Sequence, residues 1–504
     1  MHQSLGGAGG SGYGRVVAKI VIVGAGFGGL AAAIELRRHG FDDITILEKA
    51  PDLGGTWYYN SYPGAACDVP SHLYSFSYAQ RRDWDRLCPL RDDILAYMKE
   101  VAREHGVDAL VRTGVEVTSC EYDDERVRWT VGTAGGETYD ADAVIIATGQ
   151  LHHPAVPRFE GAERFAGRSF HTAEWDHDYD LAGKRVAIIG TGATSVQVVP
   201  EIAPQVERLY VFQRTGNWFL PRRNRRYPRV LRWAFERVPG LQQLRRLGVF
   251  LLGELITASI RHPRLVGPLL ATRSRIHMRM QLRDPEVRRK AWPDYTFGCK
   301  RVLFSSTYLP ALQRDNVELV TDRIARLTEH GIVTDDGAER EVDCIIYATG
   351  FNTHQFMFPM EVRGAGGRDL REEWVDGPHA YLGMMVPGFP SMFLLYGPNT
   401  NTSGGSILVF LEAQVAWIRQ ALQAAAARRA AAVDVRPEAE AQLDAALQAR
   451  FRGTAWTDCD SWYRDEQGRI VSNWPGYMRE YVAATRTLDA SKLDFIPQPA
   501  PVPA

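Results

Sequence analysis

One plan occurs twice in this chain, and it restricts the fold more than any other feature. From Lys19 an apolar run, KIVIVG, meets the turn GAGFGG, then the alanine-rich stretch LAAAIELRRHG. A second apolar run, DITILE, then ends at Glu48. From Lys184, KRVAIIG meets GTGATS, then VQVVPEIA, then RLYVFQR, which ends in Gln213 and Arg214. Strand, glycine turn, helix and strand within about 30 residues form the unit that binds a dinucleotide. Two copies predict an α/β chain with two Rossmann-like dinucleotide-binding domains. Two further apolar runs, DAVIIATG and DCIIYATG, end at Gly149 and Gly350 and are expected to close the two folds.

The spacing explains the residue types. In Gly24-x-Gly26-x-x-Gly29 the first glycine makes the tight turn and the second lets a pyrophosphate touch backbone. The third lets helix and strand pack closely. The helix N-terminus then offers free amides and its dipole to the phosphates. Glu48, 19 residues after Gly29, is positioned to accept hydrogen bonds from a ribose diol. The second turn, Gly190-x-Gly192-x-x-Ser195, has serine as its third small residue, with Thr194 beside it. Its second strand ends in Arg214 rather than an acid, followed by Thr215. A carboxylate there repels a 2′-phosphate, whereas a guanidinium binds one, so the second site is expected to take NADPH rather than NADH. Two dinucleotide sites imply hydride transfer from NADPH to a bound flavin.

Composition narrows the class. Apolar residues make up 45% and charged residues 24% of 504, the mix of a globular protein. A net charge of −1 gives no global attraction to nucleic acid. The six cysteines form no CxxC pair, and their spacing fits reduced thiols in a cytoplasm. A disulfide reductase needs a redox pair beside the flavin, and the spacing supplies none. Residues 1–17 are rich in glycine and serine and read as a flexible leader without a secretory apolar region. A cytoplasmic location is therefore expected. Residues 491–504 read as a proline-rich, extended tail, and Ile407 to Ala432 as one long helix.

The charge is uneven. From Pro221 to Lys290 there are 18 Lys or Arg against four Asp or Glu. The apolar spacing of this insert, 221–292, is helical. It is read as a solvated basic face, with a lid or membrane-surface patch over an apolar substrate entrance as the sharper alternative.

At Phe165-x-Gly167-x-x-x-His171-x-x-x-Trp175-Asp176 the chain matches the Baeyer–Villiger monooxygenase fingerprint FxGxxxHxxxW[P/D] at every fixed position. A second family pattern, [AG]GxWxxxx[FY]P[GM]xxxD, fits from Gly54-Gly55-Thr56-Trp57 through Tyr62-Pro63-Gly64 to Asp68. The chain resembles this class of flavoprotein monooxygenases from about Lys19 to Tyr481. The resemblance implies FAD and NADPH as cofactors, O2 as co-substrate, and conversion of a ketone to an ester or lactone through a C4a-peroxyflavin. It implies that Arg301 is the active-site arginine, paired with Asp68, and that Lys300 joins Arg214 on the 2′-phosphate. Trp462 matches a late tryptophan near the cofactor, and His171 a linker and positioning residue rather than a base. Ala66 departs from the arginine many members carry, and Ser195 from the commoner glycine or alanine.

The domain expectation is 18–158 for the first part of the FAD domain, 159–348 for the NADP domain with its insert, and 349–490 for the FAD-domain return and the C-terminal active-site segment. The ketone is expected to be apolar. The alternative chemistry is heteroatom oxidation giving N-oxides, hydroxylamines or sulfoxides. Lys300-Arg301 and Trp175-Asp176 favour the ketone.

Overall fold

The computed structural model describes residues 18–222 and 224–499. The expected leader, residues 1–17, and the last five residues of the tail lie outside this range.

The first apolar run forms strand β1 (Ile20–Val23), whose four side chains are all buried. A run without polar alternation is what a strand covered on both faces requires. Helix α1 (Phe27–Arg38) follows, buried on small residues Gly29, Ala31, Ala32 and Ala33, which let it lie close on the sheet. Then come β2 (Ile44–Glu48), β3 (Val111–Thr113) and β4 (Ala143–Ile146). The second unit consists of β5 (Arg168–His171), β6 (Arg185–Ile189), α2 (Ala193–Ile202) and β7 (Arg208–Phe212). The insert forms four helices, as its spacing predicts: α3 (Arg229–Arg237), α4 (Leu241–Arg261), α5 (Gly267–Gln281) and α6 (Pro285–Ala291). Strands β8 (Val317–Val320) and β9 (Cys344–Tyr347) complete this unit, and the chain returns to the first through β10 (Met392–Leu394) and α7 (Ile407–Ala427).

The first sheet has the order β10-β4-β1-β2-β3 and the second β8-β7-β6-β9-β5. Every neighbouring pair in both is parallel. Both runs ending in glycine sit directly beside the first strand of their unit, as expected. Val21 registers with Val144, and Ile188 with Ile346. A helix spanning 407–432 is corrected: α7 ends at Ala427, Arg429 turns at φ 53°, and Ala430–Val435 becomes a strand. That strand pairs antiparallel with Leu493–Pro497, so backbone pairing overrides the alanine helix propensity there, and this part of the expected extended tail is a strand. No described helix is long and apolar enough to cross a membrane.

Candidate active site

A cleft of about 1980 Å³ is lined from both nucleotide units, the insert and the C-terminal segment. Of the candidate cofactor and catalytic residues, all but Gly29 and Ser195 line it. These two stand behind it, each the third small residue of its turn, where helix and strand pack. A Cβ at Gly29 would stand 1.9 Å from the Gly24 carbonyl oxygen, and Ser195 is fully buried inside α2.

The two turns share one device. A Cβ at Gly24 would meet the Ala147 carbonyl oxygen at 2.7 Å, and one at Gly190 would meet the Ala348 carbonyl oxygen at 2.4 Å. Each turn is thus pressed against the end of its unit's closing strand, with φ at +103° and +110°. In the first unit the Gly26 and Gly55 backbones face each other, so no side chain intervenes where Thr56 and Trp57 begin the next turn. The Glu48 carboxylate accepts from the Ala25 amide at 2.7 Å and the Ala50 amide at 2.9 Å. Its two oxygens are fixed at the cleft wall with acceptor capacity remaining.

In the second unit nothing stands within 4 Å of a Cβ at Gly192, the N-cap of α2, and that open space faces the helix amides. Arg214 and Lys300 come together at the cleft. The ammonium of Lys300 donates to Thr215 Oγ1 at 3.1 Å and lies over the Tyr295 ring. Burial, and then the Arg214 charge, pull the Lys300 pKa below its ordinary value. Two cations held together beside a hydroxyl form a site for a multiply charged anion.

Between the two cradles, Arg301 donates through one Nη to both Asp68 oxygens, at 2.8 and 2.7 Å. The carboxylate is the main cause of the guanidinium's raised pKa. The exposed part of Arg301 faces the cleft it lines. Sequence reasoning did not find the residues that hold this pair. Gln197, on α2 of the second unit, donates to the Ala66 carbonyl at 2.9 Å and accepts from the Ala66 amide and the Tyr62 hydroxyl at 3.2 Å. Arg222 donates to the Cys67 carbonyl at 2.9 Å. The loop that carries Asp68 is therefore fixed by the opposite unit. Tyr396 and Tyr463 line the same cleft within electrostatic reach of the guanidinium, and burial pushes the Tyr396 hydroxyl up to about 12. Only adjacency to Trp462 and the strand ending at Leu394 hinted at these tyrosines.

Trp462 lines the cleft and tilts over Tyr463 at 4.2 Å, while its carbonyl bonds His354 Nε2 at 2.8 Å. The expectation of six reduced thiols is corrected for two. Cys299 and Cys459 form a disulfide across 160 residues, a pairing that sequence spacing does not reveal. It joins the strap bearing Lys300 and Arg301 to the strap bearing Trp462. Neither cysteine lines the cleft, so the bond is not presented to a cofactor there.

None of the five fingerprint residues lines the cleft either. His171 ends β5, is buried, accepts from the Ala173 amide through Nδ1 and meets Phe351 edge-on where the chain leaves β9. Gly167 leaves room for the Phe165 ring, Trp175 packs on Phe170, and Asp176 pairs with Arg168. Of these contacts, only that between His171 and Phe351 lies where the chain passes from the second unit back toward the first.

The pyridine nucleotide-disulphide oxidoreductase family matches residues 21–243. A Baeyer–Villiger monooxygenase of Streptomyces coelicolor is 41% identical over 96% of this chain and 94% of its own length. One from Pseudomonas aeruginosa is 40% identical over 94% and 90%. The chain belongs to the Baeyer–Villiger monooxygenases. Among solved structures, an oxidized steroid monooxygenase bound to NADP is 30% identical, with a TM-score of 0.85 over 95% of this chain and 99% of that one. A closed cyclohexanone monooxygenase is equally similar, at 30% identity and a TM-score of 0.85 over the same shares. This Baeyer–Villiger monooxygenase is an FAD- and NADPH-dependent oxidoreductase, and ketone oxidation prevails over the heteroatom alternative. The two cradles suit these cofactors: each offers a helix N-terminus cleared by glycine, one backed by a fixed carboxylate and the other by two cations.

A Gly29→Ala substitution tests the first cradle. Its methyl overlaps the Gly24 carbonyl, so α1 must shift, at a cost of about 1–3 kcal/mol. The expected result is a lower melting temperature and a purified protein depleted of FAD, read as the ratio of flavin to protein absorbance.

Proposed function

We propose that this enzyme inserts one oxygen atom of O2 next to the carbonyl of an apolar ketone, giving an ester or lactone, with Arg301 and Asp68 as its catalytic pair. The observation that carries the reading is the Arg301–Asp68 pair standing between the two nucleotide cradles on one cleft. Residues 18–158 and 349–490 hold FAD through Gly24, Gly26, Glu48, Gly55, Thr56, Trp57 and Gly149. Residues 159–348 hold NADPH through Gly190, Gly192, Thr194, Arg214, Thr215 and Lys300. Trp462 covers the cofactor from the C-terminal strap, and the enzyme acts in the cytoplasm.

When bound and reduced by NADPH, FAD supplies the two electrons that activate O2. The chain's residues do the rest. Arg301 offers a fixed positive charge to oxygens on which negative charge develops as the carbonyl is attacked. Asp68 holds that guanidinium in one orientation and, itself held through Gln197 and Arg222, keeps it from following the moving charge. Tyr396, whose hydroxyl donates to Asn401 at 3.0 Å, stays protonated at neutral pH and adds no competing anion. Leu252, Ile256 and Leu411 on the cleft wall favour an apolar substrate and keep water from the reacting atoms.

The test is mass spectrometry of products formed with NADPH, isotopically labelled O2 and a panel of ketones, amines and sulfides. One labelled oxygen gained by a ketone as ester or lactone is expected. Labelled amines or sulfides with unchanged ketones would sink the reading.

A further inference from the structure

The insert presents an apolar surface that the reaction does not use. Thirteen of the 16 exposed large hydrophobic residues among those described fall between Val230 and Met280. Helix α4 carries its leucines outward. Leu244, Leu247, Leu251 and Leu255 recur at helical spacing on one face and are 37–65% exposed. Its inner face is mixed, burying Val249, Ile256 and Ile260 together with Gln242, Glu254, Thr257 and Ser259. The polar groups are matched: Gln242 donates to the Arg81 carbonyl at 2.8 Å, and Glu254 accepts from the Met478 amide at 2.8 Å. The outward leucines are therefore not a helix rotated out of register. Helices α3 and α5 pack beside α4 and add Trp233, at 59% exposure, and Leu269, Ile276 and Met280. An apolar surface of this extent on a folded chain marks a docking site.

The charge around it identifies what docks. The insert holds 18 Lys or Arg against four acids, and Arg229, Arg237, Arg245, Arg264, Arg273 and Arg279 are all exposed. A second copy meeting this face about a twofold axis would bring arginine against arginine. An anionic bilayer offers acyl chains to the leucines and headgroup phosphates to the guanidiniums, the pairing of an amphipathic helix lying in the interface plane. Helix α4 is also a wall of the cleft through Val249, Leu252, Gly253 and Ile256, so the apolar face adjoins the cleft.

We propose that the α3–α5 face docks this enzyme on the surface of an anionic lipid bilayer, without crossing it. The proposal rests on the face alone and stands or falls separately from the reaction.

The test is flotation of the FAD-loaded enzyme with vesicles of phosphatidylcholine, alone or with a third phosphatidylglycerol. Most of the enzyme is expected to float with the anionic vesicles at low salt, and about tenfold less with neutral vesicles or at high salt. The triple variant Leu244→Glu, Leu247→Glu, Leu251→Glu is expected to lower the floated fraction about tenfold with flavin content unchanged. Where the triple variant loses flavin, the single variants Leu251→Gln and Trp233→Gln are read instead and are expected to lower it severalfold. No flotation at low salt overturns the proposal, as does flotation that the leucine and tryptophan variants leave intact. A wild-type dimer that becomes a monomer in the triple variant by light scattering, with no vesicle binding, assigns the face to a second copy and overturns it too.

Discussion

Arg301→Ala is expected to bind FAD and to be reduced by NADPH, yet to form ester or lactone at least about 100-fold more slowly than the parent enzyme. Removing one fixed electrostatic partner of a developing oxyanion typically costs about 2.7–4 kcal/mol, which converts to that loss. NADPH consumption continues and its electrons appear as hydrogen peroxide. The two readouts, product by chromatography and peroxide by a coupled assay, separate lost oxygen transfer from lost reduction. Arg301→Lys keeps the charge but not the delocalised guanidinium, whose one Nη meets both Asp68 oxygens at 2.8 and 2.7 Å while its other nitrogens remain as donors, so it is expected to recover little. Product formation by Arg301→Ala at the parent rate removes this residue from the chemistry.

Arg214→Ala is expected to raise the KM for NADPH about 10- to 100-fold and to leave NADH use nearly unchanged, because charge-assisted hydrogen bonds of this kind are worth about 1.5–3 kcal/mol. Only NADPH carries the 2′-phosphate. Lys300→Ala is expected to act in the same direction. Burial, and then the Arg214 charge, disfavour its ammonium form, a cost that a bound phosphate offsets. The double variant is expected to lose less than the sum of the singles, since the two cations share one phosphate. Equal losses with NADPH and NADH would refute a 2′-phosphate site at this position.

Much of the fold could be read from the chain directly. The runs IVIV and CIIY are apolar at every position, which only a parallel strand covered on both faces tolerates. The first glycine of each turn is dictated by backbone crowding against Ala147 or Ala348, and Gly29 by crowding against Gly24 within its own turn, so the glycine spacing can be recognised in the chain. Glu48 and Arg214 sit at fixed distances after those turns for the same reason: strand and helix lengths are set by packing, and sequence counts them. Where local propensity alone was available the reading failed, as at Ala430–Val435, whose alanines favour helix until pairing with Leu493–Pro497 decides otherwise.

The sequence by itself determined the two nucleotide folds, the cofactor class and the helical nature of the insert, because each depends on residues within a few turns of one another. Only the tertiary structure decided how Asp68 meets Arg301 across 233 residues, how Gln197 and Arg222 fix the loop between them, and that Cys299 and Cys459 are joined. It also decided which face of α4 turns outward, since leucine at helical spacing reads the same whether it faces a core or the solvent. Contacts between distant segments depend on how whole units pack, and no local pattern encodes that packing.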